Sequence, residues 1–128
     1  MWVAAGESRL VEAMEIEKEM LKGHIDLIIL ALLNEEDFYG YELGKRVKAQ
    51  TQEGFELKEG TLYLAFKRLE EGGLVQSYWG DEAAGGGRRK YYRLLEKGRQ
   101  RLRAGKKEWE HLKKIVDQFL EEVDANDG

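Results

Sequence analysis

The strongest constraint on the fold is an apolar repeat in the last third of the chain. Because its spacings alternate three and four through four heptads, it predicts one long helix over residues 96–123 with a coiled-coil seam. The rest of the chain is small, so the simplest way to bury this seam is to pack it against a second copy of the chain. The first helix of the same chain, alone or together with that copy, is the alternative. The seam consists of Leu95, Gly98, Leu102, Gly105, Trp109, Leu112, Val116, Phe119 and Val123, in which the two glycines are gaps.

Three helices and a hairpin are predicted upstream of the long helix. Apolar residues at helical spacing predict helices over residues 7–34, 41–50 and 58–72, and the pair Gly72-Gly73 ends the third. Residues 74–79 and 88–94 are rich in strand formers and flank a loop, residues 80–87, that contains four glycines. The expected fold is mainly α with a small β-hairpin, a winged helix-turn-helix with a long C-terminal dimerisation helix.

This order of elements divides the chain into four parts. Residues 1–15 are expected to form an N-terminal extension, helical or partly disordered, and residues 16–95 the winged helix-turn-helix domain. Residues 96–123 are expected to form the dimerisation helix, and residues 124–128 a disordered acidic tail.

Charge is distributed unevenly along the chain. The net charge of −4 argues at first against nucleic acid, but residues 88–107 carry ten basic side chains against the single acid Glu96. Phosphate contact depends on the local field and not on the total charge. The basic segment therefore indicates a DNA-binding surface, with a solvated helix face as the alternative.

The third predicted helix occupies the place of the recognition helix, whose N-terminal residues enter the major groove in a helix-turn-helix. Its candidate DNA-binding side chains are Lys58, Thr61, Tyr63 and Lys67. Hydroxyl groups bond to bases or phosphates, and lysine offsets phosphate charge. The Tyr63 ring is equally compatible with packing between helices.

The hairpin is expected to be the wing. Gly87 ends a run of three glycines, and Arg88, Arg89 and Lys90 follow at once. Strand alternation places Arg88 and Lys90 on one side and Arg89 on the other. Three cations beside a glycine tip suit the minor groove or flanking phosphates, and a solvated hairpin is the alternative.

Trp109 lies in the middle of the seam, one turn after Gly105. Where two such helices cross, the indoles of two chains approach each other and can sandwich a flat aromatic molecule. Ordinary core packing of a large side chain is the alternative.

Several other classes of function are disfavoured. The chain has no cysteine, which removes disulfides and thiolate metal sites and fits a cytoplasmic location. The only histidines, His24 and His111, stand far apart, so neither an enzyme nor a metal or cofactor site is expected. The longest apolar run, residues 27–33, is too short to span a membrane, and the N-terminus does not resemble a signal peptide.

Short motifs over about residues 18–121 together resemble the PadR family of transcriptional regulators. Two of them, Tyr78-Trp79-Gly80-Asp81-Glu82 and Trp109, resemble its short multidrug-sensing branch. The motifs are Tyr39-Gly40-Tyr41-Glu42-Leu43, Gly60-Thr61-Leu62-Tyr63, Arg68-Leu69-Glu70, Gly73-Leu74-Val75, Arg88-Arg89-Lys90-Tyr91-Tyr92, Tyr78-Trp79-Gly80-Asp81-Glu82 and Trp109.

The resemblance implies a dimeric repressor that binds palindromic operators. In the multidrug-sensing branch, planar drugs stack between the tryptophans of the two chains, which implies that role for Trp109. The implied pore-lining positions are Met20, Gly23, Leu27, Ala31, Leu102 and Lys106.

The chain departs from the family pattern at three positions. Leu64 replaces the usual proline after the Gly-Thr-Leu-Tyr segment, and Leu95 replaces the threonine that would cap the last helix. Lys106 stands where the drug-sensing branch often has an aromatic residue, which disfavours a cationic effector.

The sequence thus predicts a ligand-responsive regulator that binds duplex DNA as a homodimer, with a planar aromatic molecule as its effector. The alternative is a winged-helix module that binds proteins and not DNA. The residues expected at the dimer contact are Leu102, Trp109, Leu112, Val116 and Phe119.

Overall fold

A computed structural model describes residues 23–82 and 87–124 of the chain. In chain order the elements are α1 (Ile25–Glu35), β1 (Phe38–Tyr39), α2 (Gly40–Gln50), α3 (Glu59–Glu71), β2 (Val75–Glu82), β3 (Arg88–Leu94) and α4 (Glu96–Leu120). The expected class, mainly α with a small β-hairpin, is confirmed. Residues 7–22 of the first predicted helix, most of the glycine tip and residues 125–128 of the expected tail lie outside the described residues.

The end of α3 shows how the sequence sets a boundary. Gly73 has a φ of +73°, a conformation that glycine adopts without strain. This turn lets the Leu74 amide donate to the Leu69 carbonyl at 2.9 Å and the Gly73 amide donate to the Glu70 carbonyl at 3.0 Å. These two bonds form a Schellman motif, which ends the helix as the Gly72-Gly73 pair predicts.

The sheet has three antiparallel strands in the order β1-β3-β2. The sequence predicts only the hairpin of β2 and β3, and β1 is an addition to it. Phe38 pairs with Tyr92 and Tyr39 pairs with Tyr91. Because β1 has two residues, it has no alternation that could reveal it. It nevertheless joins the wing to the start of α2.

The core lies between the first three helices and the sheet. Ile29, Leu43 and Ala65 are fully buried, and Val75 and Leu94 bring the two long strands into the same cluster. The stripe that predicts α3 is buried as expected, at Leu62, Phe66 and Leu69. Burial of this cluster fixes the position of α3 against the wing, and therefore the geometry of the site below.

The long helix α4 packs closely on its neighbours at two buried glycines, on Leu27 of α1 at Gly105 and on the Leu74 backbone at Gly98. A Cβ atom at Gly105 would lie 2.6 Å from Leu27 Cδ1, and one at Gly98 would overlap the Leu74 carbonyl oxygen. The gaps that these glycines leave in the seam are filled by neighbouring atoms, because a residue without a Cβ atom lets the neighbour approach the helix backbone closely. The helix also ends at Leu120, three residues before the predicted Val123.

Candidate nucleic-acid interface

A groove of 980 Å³ lies between the helix-turn-helix and the wing. Residues of α2, the start of α3 and β3 form its walls. Six cationic side chains line it against three glutamates, so its local charge is opposite to the net charge of the chain. The cations are Lys45, Lys48, Lys58, Arg88, Arg89 and Lys90, and the acids are Glu53, Glu56 and Glu59.

A ring stack between Phe66 of α3 and Tyr92 of β3 joins the two sides of the groove. The ring centroids are 3.9 Å apart and the planes are nearly parallel, at 8°. Burial at this contact raises the pKa of the Tyr92 phenol above its ordinary value. The stack holds the wing at a set distance from the recognition helix.

A second link between the same elements is polar. Ser77 of β2 donates from its amide and its hydroxyl to Glu70 Oε2 of α3, at 3.1 and 2.5 Å. The hydroxyl bond is the main reason that the pKa of Glu70 lies below its ordinary value. On the other side of the sheet, the Tyr78 hydroxyl donates to Asp37 Oδ2, which ties β2 to the segment before β1.

The three cations of the wing lie on alternate faces of β3, as predicted. Lys90 Nζ lies 5.9 Å from the centre of the Tyr92 ring, on the face toward α3. Arg89 Cζ lies 4.6 Å from the centre of the Tyr39 ring, on the opposite face. All three cations, including Arg88, still line the groove at its open end.

The predicted side chains of the recognition helix are all exposed. Tyr63 is 65% exposed, so its ring is not packed between helices. Tyr63 and Lys58 line the groove. Thr61 and Lys67 are exposed on the same helix but lie outside the groove.

Helix α2 contributes three groove residues that are not among the predicted DNA-binding side chains: Tyr41, Lys45 and Lys48. Tyr41 is 70% exposed, and Lys45 Nζ lies 5.5 Å from the centre of its ring. The available signal is the spacing of the three residues, four and then three apart, which places them on one face of α2. That this face is turned toward the wing depends on the packing of α2, which the spacing does not reveal.

A second concavity, a cleft of 290 Å³, lies beside Trp109 between α1, α4 and the end of α3. Of the residues expected around an effector, Gly23, Leu27 and Trp109 line it. The indole is 46% exposed and meets the His24 ring edge-on, with centroids 5.1 Å apart. The lining also includes polar residues that the sequence does not mark as effector-binding: His24, Asp26, Arg101 and Glu108.

The other residues expected around the effector do not line this cleft. Ala31 and Lys106 are exposed elsewhere on α1 and α4, and Leu102 packs against the core of its own chain. Met20 lies outside the described residues.

The two halves of the α4 seam have different surroundings. The N-terminal half is covered by α1 and the core, through Gly98, Leu102 and Gly105. The C-terminal half is open in the single chain, and Phe119 is 79% exposed. The exposed apolar residues of this half, together with Val123 just beyond the end of the helix, are called the α4 stripe below: Trp109, Leu112, Ile115, Val116, Phe119, Leu120 and Val123.

Over the two described stretches, no helix combines the length and apolar character needed to cross a membrane. The same part of the chain holds no group of three or more histidine or acidic side chains arranged to bind a metal ion.

Comparison with known proteins places this arrangement in a family. Residues 29–104 match the model of the transcriptional regulator PadR-like family. An uncharacterized protein of Lysinibacillus sphaericus is 42% identical over 106 residues, which cover 83% of this chain and 96% of that protein.

Two solved structures are similar in both sequence and fold. A transcriptional regulator of Clostridium thermocellum is 42% identical, with a TM-score of 0.73 over 80% of this chain and 98% of the other. A PadR family transcription regulator of Clostridium difficile is 45% identical, with a TM-score of 0.66 over 76% and 98%. With a family match over residues 29–104 and these relatives, the chain belongs to the PadR-like family of transcriptional regulators, which are DNA-binding proteins and not enzymes.

Proposed function

We propose that two copies of this chain form a ligand-responsive repressor that binds palindromic operator DNA. The observation that carries the proposal is the groove of 980 Å³, which has cations on both walls although the chain is acidic overall. A phosphate backbone that lies in the groove between the helix-turn-helix and the wing meets Lys45 and Lys48 of α2 on one side and Arg88 and Lys90 of β3 on the other.

The α4 stripe supports a homodimer. Leu112 and Val116 are each 46% exposed in the single chain, and Phe119 is 79% exposed. A contiguous apolar stripe of this kind is costly in water, and an identical stripe on a second chain removes it from water. Because this contact has twofold symmetry, it presents two recognition helices to two half-sites, and the operator is then a palindrome.

The cleft beside Trp109 is the proposed effector site. It is bounded by α1 and α4 and reaches Leu69 at the end of α3, so its occupant touches the helix that carries the reading residues. An aromatic molecule stacked on the indole gains contact on one face, and the indole of the second chain is the candidate for the other. A ligand that favours one spacing of the two recognition helices changes operator affinity by that preference.

Selection of bound sequences from random duplexes, followed by band shifts over a salt series, tests DNA binding. We expect an affinity that falls steeply with salt, and a shallower slope for Arg88→Ala with Arg89→Ala, by about 0.9 for each phosphate that is no longer neutralised. Lys114→Ala, on α4 away from the groove, is the matched control and keeps the slope. A wild-type chain that shifts no duplex at low salt would favour the protein-binding module instead.

Analytical ultracentrifugation tests the dimer. Phe119→Glu and Val116→Glu place an acid in the α4 stripe and are expected to convert the dimer to a monomer with unchanged helical circular dichroism. Lys114→Glu places the same acid on the opposite face of α4 and leaves the dimer intact. A wild-type monomer at micromolar concentration contradicts the proposal.

Fluorescence titration tests the effector site. In a Trp2→Phe, Trp79→Phe chain the only indole is Trp109, and we expect planar aromatic molecules to quench it. Absence of quenching across a broad panel removes the ligand part of the proposal. Transcription from an operator template, with and without a bound molecule, then tests repression directly.

A further inference from the structure

The wing carries an exposed tryptophan outside the walls of the groove. Trp79, in β2, is 57% exposed, although tryptophan is a large side chain that is mostly buried on average in folded proteins. It lies on the hairpin, whereas the α4 stripe proposed for the dimer contact lies on a different element. The exposure of this ring therefore calls for a partner other than the second chain's stripe.

The strand register places the indole on the same face of the hairpin as the groove cations. Trp79 pairs with Lys90 across the β2–β3 ladder, and paired residues project to the same face. Arg88, two residues before Lys90, has its guanidinium carbon 5.7 Å from the centre of the indole ring. Since Arg88 and Lys90 both line the groove, Trp79 lies at its rim, flanked by two cations.

The pairing of β2 with β3 becomes irregular directly after Trp79. The pairing register of β2 and β3 shifts between Trp79 and Glu82. Gly80 follows Trp79, and a Cβ atom at Gly80 would lie 2.6 Å from Cδ2 of the Tyr91 ring, which occupies the opposite face. Irregularities of this kind re-aim a side chain at functional sites. Here the irregularity begins at the residue whose ring is left in solvent.

A flat ring between two cations has the chemistry of a nucleic-acid contact. The cations offset neighbouring phosphates, the indole face packs on a sugar or base, and the indole N–H donates to a phosphate oxygen. We infer that Trp79 is a DNA-contacting residue of the wing, which packs on the sugar–phosphate edge of the duplex beside the groove while Arg88 holds its ring. The inference rests on the DNA binding proposed for the groove.

A chain with Trp79 as its only tryptophan, made by Trp2→Phe and Trp109→Phe, tests the inference with a duplex selected by the wild-type protein. Band shifts and Trp79 emission are followed in the same titration. We expect the emission to change in step with the shift, and acrylamide quenching of Trp79 to fall in the complex. A shifted band with unchanged emission and unchanged acrylamide quenching overturns the inference and leaves the groove intact. A wild-type protein that selects and shifts no duplex overturns both this inference and the DNA binding proposed for the groove.

Substitution gives the size of the contribution. Trp79→Ala is expected to weaken operator binding about tenfold with an unchanged salt slope, because the residue carries no charge. Trp79→Phe keeps an aromatic face and retains part of the affinity. Gln76→Ala, on β2 and on the face opposite to Trp79, is the matched control and keeps the wild-type affinity. Equal affinities for Trp79→Ala and Gln76→Ala, with both chains folded, contradict the inference.

Discussion

Arg68 Nη2 lies 2.7 Å from Asp26 Oδ1, so the last turn of the recognition helix is joined by an ion pair to the first turn of α1. Asp26 also lines the cleft beside Trp109. Besides Leu69 in the cleft itself, this ion pair therefore connects the proposed effector site with the helix proposed to read DNA. A movement of α1 around a bound molecule would displace α3 through this ion pair.

The ion pair is expected to contribute little to stability. Its side chains are 58% and 41% exposed, so Asp26→Asn or Arg68→Gln is expected to lower the free energy of unfolding by about 0.2–1 kcal/mol at low salt. The loss should shrink in 1 M salt, because screening weakens the pair in the wild type. Urea unfolding of both single variants and the double variant gives the coupling energy. A coupling that is equal at low and high salt contradicts this electrostatic account.

Alanine at the two buried glycines of α4 should destabilise the chain unequally. At Gly98 the new methyl group overlaps the Leu74 backbone carbonyl, which cannot move aside, whereas at Gly105 it meets the flexible end of Leu27. We expect Gly98→Ala to cost about 1–3 kcal/mol. Gly105→Ala should cost less, because the Leu27 side chain can move aside. At both positions the higher helix propensity of alanine offsets part of the loss. Urea unfolding measures both.

Gly60→Ala is the control for this pair, because a Cβ atom at Gly60 meets nothing within 4 Å. It should leave the unfolding free energy unchanged or raise it by up to about 1 kcal/mol. An equal loss at Gly60 and Gly98 would show that the penalty arises from the helix backbone and not from the close approach to Leu74.

The elements were predictable where a periodic pattern or a turn signal exists. The stripe of α3 and the Gly72-Gly73 pair predict that helix and its end within a residue. Strand β1 is not predicted, because two residues are too few to show the alternation of a strand, and it exists only through its pairing with β3. Gly98 and Gly105 look like missing side chains in a hydrophobic pattern, and only the position of the neighbouring atoms identifies them as contact points.

The residues of the candidate site likewise divide into those that the sequence predicts and those that only the packing reveals. Arg88, Arg89 and Lys90 follow a glycine tip, so the sequence itself brings them to the wing, and the structure has all three at the groove. No sequence signal of this kind identifies Lys45 and Lys48 of α2, since many exposed helices have lysines at this spacing. Their position opposite the wing results from the packing of α2 against α3.

Lys45 and Lys48 are expected to contribute to DNA affinity as much as the wing cations do. They line the same groove from its other wall, so removing either cation should lower the salt slope by about 0.9 for the phosphate it neutralises. Band shifts of Lys45→Ala and Lys48→Ala over a salt series measure this, with Lys114→Ala as the control. If both variants keep the wild-type slope, the duplex does not touch α2.

The Tyr78 phenol should remain protonated at a pH where most tyrosines ionise. Its hydrogen bond to Asp37 is the main cause that raises the pKa of Tyr78 from 10.0 to about 12. A raised pKa in the folded chain means that this bond stabilises the fold fully below pH 10.0, and that its contribution is lost as the pH rises toward about 12. The tether between β2 and the segment before β1 weakens over the same range.

Absorbance at alkaline pH, compared between the wild type and Tyr78→Phe, isolates this tyrosine. Asp37→Asn removes the carboxylate and is expected to return the Tyr78 titration toward the ordinary range while circular dichroism at neutral pH is unchanged. Tyr41 is 70% exposed, and Tyr41→Phe is the control that removes a phenol other than the one bonded to Asp37. A Tyr78 that titrates together with the exposed tyrosines in the wild type would mean that the bond to Asp37 does not persist in solution.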